Sequence, residues 1–160
     1  MALPSAGGIF FQNNAGFKIV NSNGGSTYID LTDHVMSITI NRQFDELDVT
    51  AMGASGHAFI AGLESSTISI DFLNDDYANS VMQTLNAVVG YVVPFKIAQS
   101  VSAIGAGTST ATIGLSNPLY SGSVLVNKLT PVAGKIGDVA VQSLTFTVSG
   151  AVTVASSGSW

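Results

Sequence analysis

Three of the ten acidic residues fall within four positions, as Asp45, Glu46 and Asp48 in the stretch FDELDVTAMG at 44–53. Read as a strand, this stretch sends Leu47, Val49 and Ala51 to one face and Glu46, Asp48 and Thr50 to the other. The two carboxylates on the polar face then stand about 7 Å apart. That lies between the two carboxyl separations used by glycoside hydrolases, so an acid/base pair is one reading. A glycosidase pair works across a cleft lined with aromatic platforms, whereas Glu46 and Asp48 are neighbours on one strand and the single tryptophan is the terminal Trp160.

The remaining chemistry is sparse. His34 and His57 are the only histidines, and no sequence pattern pairs either with a nucleophile. GASG at 53–56 reads as a turn rather than a nucleophile elbow. GAG at 105–107 lacks a third glycine, and Gly134-Lys135 is followed by Ile136 where a phosphate-binding loop needs Ser or Thr. DELDVTAMG lacks the alternating oxygen ligands of a calcium loop, and two histidines without cysteine make a poor zinc site. No catalytic residue, cofactor or metal is expected, and the chain reads as a non-enzyme.

The elements that must position these residues are mostly strands. Met36, Ile38 and Ile40 alternate with Ser37, Thr39 and Asn41. Ile68, Ile70 and Phe72 alternate with Thr67, Ser69 and Asp71, and Leu144, Phe146 and Val148 with Ser143, Thr145 and Thr147. Further strands are expected at Phe17–Val20, Thr27–Asp30, Glu46–Ala51, Tyr91–Ala98, Ala111–Leu115, Ser123–Leu129 and Ala151–Ala155, several bounded by Gly, Asn or Pro. Such a series predicts an all-β domain, a sandwich or barrel, over residues 9–155. One flanking α-helix is expected at Asp75–Val89, where Asn74 to Asp76 offer capping oxygens, Val81, Leu85 and Val88 recur at helical spacing, and Gly90 supplies a stop. LTDH at 31–34 adds a single turn. Residues 1–8 and the tract SVSAIGAGTST at 100–110 read as a flexible tail and loop or as arms that order on assembly, and residues 156–160 as a flexible C-terminal tail.

Composition points towards assembly. A chain of 160 residues can bury a substantial core. Only 9% of its residues are charged, while Gly, Ser, Thr and Asn are abundant. A freely diffusing monomer normally disperses charge over its surface, so this scarcity suggests a surface largely covered by partners. The polar strand faces fit that view, because uncharged hydroxyls cost less to desolvate than ions. The net charge is −5, and Lys18, Arg42, Lys96, Lys128 and Lys135 form no cluster, which argues against ordinary nucleic-acid binding. The absence of cysteine excludes a disulfide framework. No membrane span is expected, since the longest apolar run, about Ala87–Phe95, is broken by Gly90 and Pro94. MALPSAGGIFF lacks the basic and long apolar regions of a secretory signal.

The last third carries a distinctive series. Gly122-Ser-Val-Leu-Val-Asn-Lys-Leu precedes Pro131-Val-Ala-Gly134, then Gly137-Asp138-Val139-Ala140, then Leu144-Thr-Phe-Thr-Val148-Ser-Gly150-Ala-Val152. This resembles the end of the major tail proteins, or tail tube proteins, of long-tailed bacteriophages. DVTAMG at 48–53 and AGLESSTISIDFLNDD at 61–76 are similar to the middle of that family, so the resemblance covers about Asp30–Val154. It implies a structural virion subunit, assembled in the bacterial host cytoplasm. Its rings, commonly hexameric, stack into the hollow tail tube through which DNA passes without specific binding. The implied partners are further copies and other tail components such as tape measure, terminator and baseplate proteins. An acidic channel wall would weaken adhesion of the duplex, which gives Glu46 and Asp48 a place in the lumen. An acidic outer surface and a loop bridging successive rings are the other placements. Met1, Ala2, Leu3, Pro4, Ser102, Ile104 and Thr108 are the expected assembly arms. The alternatives are a head–tail joining or tail completion protein, and a β-sandwich decoration or adhesion module.

Overall fold

The computed structural model describes residues 14–75, 77–132 and 134–160. In chain order the strands are β1 (Gly16–Val20), β2 (Tyr28–Asp30), β3 (Val35–Asn41), β4 (Phe44–Asp48), β5 (Phe59–Glu64) and β6 (Thr67–Leu73), followed by helix α1 (Val81–Val88). Then come β7 (Val92–Ala98), β8 (Ser102–Gly105), β9 (Thr108–Thr110), β10 (Leu119–Leu125) and β11 (Val141–Ala155). The described residues are thus mostly β with one α-helix, and a 3-10 turn at Thr32–His34 falls where LTDH was expected to bend.

Seven strands form one antiparallel sheet in the order β2-β1-β7-β10-β11-β6-β3. Its two edge strands are successive in sequence, joined only by Leu31–His34. Four residues reach at most about 14 Å, so the sheet must curl until its edges approach. Phe17 of β1 and Phe72 of β6 accordingly meet inside, with ring centroids 5.8 Å apart. Alternation puts Ile68, Ile70, Phe95, Val124, Leu144 and Phe146 in the same buried cluster, which Val81, Leu85 and Val88 of α1 join. The opposite faces of β3, β6 and β11 align their polar residues in three rows: Ser37, Asp71 and Ser143; Thr39, Ser69 and Thr145; Asn41, Thr67 and Thr147.

Several elements depart from expectation. The helix begins at Val81 rather than Asp75, because Asn79 has φ +60° and breaks the helical run. Asp75 instead closes a turn by accepting the Tyr77 amide, and its carbonyl accepts the Ser80 hydroxyl at 2.8 Å. Gly90, at φ +85°, supplies the expected stop. No strand forms at 111–115. There the Asn117 amide group donates to the carbonyls of Ser100 and Thr112 and organises a loop, leaving one bridge between Gly114 and Asn117. The strand expected at Ser123–Leu129 lies earlier, at Leu119–Leu125. The last two expected strands merge into the long β11, which stays paired through an irregularity at Gly150, where φ is +86°. β5, β8 and β9 were not anticipated.

Candidate assembly surface

β3 pairs with β6 and β4 pairs with β5, so the four strands make one long two-stranded ribbon. Its first half belongs to the curled sheet. Its second half, β4 and β5 with the connecting turn at 49–58, pairs with no other strand among the described residues. The elbow is held by Arg42, which donates to the Glu64 carboxylate at 2.9 and 3.3 Å. Glu64 also accepts the Ser66 hydroxyl at 2.7 Å and the Val152 amide of β11 at 3.3 Å. The Arg42 hydrogen bond above all, then that from Ser66, holds the Glu64 carboxyl at about 2, from an ordinary 4.5. Beyond the elbow, β5 carries an extra residue between the pairs Phe44–Glu64 and Glu46–Ala61. Gly62 sits in that bulge, where an added Cβ would come within 3.0 Å of the Asp45 side chain.

Every residue of β4 is exposed. The Glu46 carboxylate makes no hydrogen bond or ion pair among the described residues, although its backbone lies in the β4–β5 ladder opposite Ala61. Asp48 is built into the ribbon's turn: it accepts the Thr50 amide at 2.8 Å, the Thr50 hydroxyl, and a contact from His57 Nδ1 at 3.2 Å. The Thr50 bonds, the hydroxyl first, hold its carboxyl below the usual range, with His57 adding to them. This local turn ends β4 at Asp48, short of the expected Ala51. A shallow groove of about 300 Å³ lies beside Glu46 but not Asp48, lined by Phe44, Asp45, Glu46, Phe59, Ile60 and Ala61.

The ribbon's apolar side chains are the feature that sequence reasoning passed over. Leu47 and Val49 are half exposed rather than set against a core, as are Phe44, Phe59 and Ile60. Leu63 is 81% exposed and Met52, in the turn, fully so. The signal was present in the sequence: FIAGLE at 59–64 is apolar without strict alternation, which suits a strand that must be covered on both faces.

The tract 100–110 folds as a hairpin of β8 and β9 on the body. Ser102 faces Thr110, and Thr108 pairs with Gly105, while Ile104 is partly exposed. The Gly107 amide donates to Asp33 at 3.0 Å, and the Ser109 hydroxyl donates to the buried Asp30. Trp160, expected in a flexible tail, folds back instead: its Nε1 donates to Ser109 Oγ at 2.9 Å and the Lys18 ammonium lies 4.6 Å from its ring. Met1, Ala2, Leu3 and Pro4 lie outside the described residues.

His34 bridges two carboxylates, with Nδ1 2.8 Å from Asp33 and Nε2 3.1 Å from Asp75, beside a cavity of about 430 Å³ that Lys18, Tyr28, Asp30 and Tyr77 also line. The three groups tie the 3-10 turn to the segment before α1. Among the described residues no group of His, Asp and Glu is placed to hold a metal ion, and no helix is long and apolar enough to cross a membrane. Comparison of the chain with protein-family models gives no match, and comparison with curated protein sequences gives none either.

Proposed function

We propose that this protein is a self-assembling structural subunit whose copies form rings that stack into a hollow tube, as the resemblance to phage tail tube proteins implies. The observation that carries this reading is the projecting half of the ribbon, with apolar side chains exposed on both strands and no further strand paired to it among the described residues. Contiguous apolar surface of this kind marks a protein contact, and a second copy of the chain is the partner that the scarcity of charge favours.

On this reading Glu46 and Asp48 belong to the contact surface rather than to a channel wall. They stand among Phe44, Leu47 and Phe59, which need covering, and Asp48 serves the turn. The polar rows of β3, β6 and β11 are the better candidate for a DNA-facing wall. They contain hydroxyls, one amide and Asp71, and no cation. Hydrogen bonds from Ser143 and Ser37 hold the Asp71 carboxyl below its usual range, so it stays ionised. A duplex would find no counter-charge there and would slide.

Electron microscopy and light scattering of the purified protein over a concentration series test the proposal. Rings or hollow tubes are expected. Isolated rings that never stack would favour a joining or completion protein, and a persistent monomer at high concentration would overturn assembly and favour a decoration or adhesion module.

A further inference from the structure

The ribbon and the loop between β10 and β11 leave opposite ends of the same strand pair. Along β6 and β11 the register runs from Thr67–Thr147, beside the elbow, to Leu73–Val141 at the far end. Six residue steps separate the two ends by about 20 Å. At the far end the Asn74 amide donates to the Ala140 carbonyl at 2.8 Å, fixing the point where the loop rejoins the sheet. Two unlike surfaces on opposite ends of one subunit are the requirement for a heterologous, propagating contact.

The two surfaces also differ in the way that mutual recognition requires. The ribbon carries Asp45, Glu46 and Asp48 among its apolar side chains. The loop exposes Val132 (92%) and Ile136 (105%), and it carries Lys128 and Lys135. The other three cations are engaged within their own subunit. Lys18 lies 3.6 Å from Asp30, Arg42 pairs with Glu64, and the Lys96 ammonium donates to the Ser159 carbonyl at 3.0 Å. Lys128 has no carboxylate partner among the described residues. Lys135 has only the exposed Asp138, at 3.4 Å. Beside the loop is an open hollow of about 440 Å³, lined by Asn74, Asp75, Met82, Pro131, Val132 and Ala140, and at the ribbon's turn is the fully exposed Met52.

We infer that Lys128, Val132, Lys135 and Ile136 of the β10–β11 connection in one copy receive the ribbon of the next, with Lys128 and Lys135 facing Asp45 and Glu46 and Met52 seated at the hollow. The inference rests on the assembly reading above. It adds the receiving surface, and with it the polarity of the stack.

The chain has no cysteine, so paired single-cysteine variants give a clean test. Chains carrying Met52→Cys are mixed with chains carrying Val132→Cys, and oxidised in air with copper phenanthroline under assembling conditions. Mixed disulfide dimers are expected, and Asn23→Cys in place of Val132→Cys is expected to give none above background. In parallel, Lys128→Glu with Lys135→Glu should raise the critical concentration for assembly about tenfold or more, as should Asp45→Lys with Glu46→Lys, and joining all four changes should recover much of the loss. If the unaltered protein assembles, but the reversals leave its critical concentration unchanged and no mixed dimer forms, this contact is refuted while the assembly reading stands. A protein that never assembles refutes the assembly reading itself.

Discussion

Leu63→Ser isolates the contribution of the ribbon's apolar surface. Leu63 lies on β5 beside the bulge and is 81% exposed, so its side chain contributes little to the fold of its own subunit. Fully burying a leucine stabilises by roughly 1.5–3 kcal/mol, so covering the exposed four-fifths at a subunit contact is worth about 1.2–2.4 kcal/mol. Lost from a contact, that is a factor of about 8 to 60 in its association constant. The critical concentration for tube formation, read by sedimentation across a dilution series, should rise by about that factor. The melting temperature of the dissociated subunit should move by less than about 2 °C, since exposed positions away from special features are usually worth within ±0.5 kcal/mol. Tubes that form at an unchanged critical concentration would refute the argument, because Leu63 would then be exposed in the assembly too.

Acid should loosen the elbow. The Glu64 carboxyl is held at about 2, below its ordinary 4.5, so its contribution is complete above the ordinary value and is lost as the pH falls from about 4.5 towards 2. Hydrogen exchange at the Val152 amide should quicken over that window, and Glu64→Gln should remove the dependence. Phe72→Ala removes one side of the ring contact that joins β6 to β1 across the interior, and should cost about 3–5 kcal/mol in denaturant unfolding. Thr84→Val should stabilise by on the order of 1 kcal/mol in the same measurement, because Thr84 Oγ1 is buried without a hydrogen-bond partner among the described residues.

The sequence by itself determined the elements whose signal is local. Alternation at 38–41, 67–72 and 143–148 specified one-sided strands, because successive side chains in extended backbone point to opposite faces whatever lies beyond them. At the start of β3 a register irregularity between Val35 and Ser37 instead leaves Met36, expected on the inner face, 58% exposed, and Val35 packs against the core. The spacing of Val81, Leu85 and Val88, with Gly90 after them, specified a helix and its stop on the same ground. Its start was misread because the left-handed Asn79 is a choice between conformations open to that residue, made here as Asp75 closes its turn with Tyr77 and Ser80. Tertiary structure alone decided which strands became neighbours. Nothing local in β3, β6 and β11 says that their hydroxyls will line up in rows, since β11 reaches β6 from about 70 residues away. Trp160 is anchored for a similar reason: its indole N–H needs an acceptor, and Ser109 is brought within reach only by the folding of the β8–β9 hairpin onto the body. Glu46 and Asp48 were recognised as an unusual acidic pair, but their setting on a ribbon that no other described strand joins depends on where the curled sheet ends, and that edge is set by pairings distant in sequence.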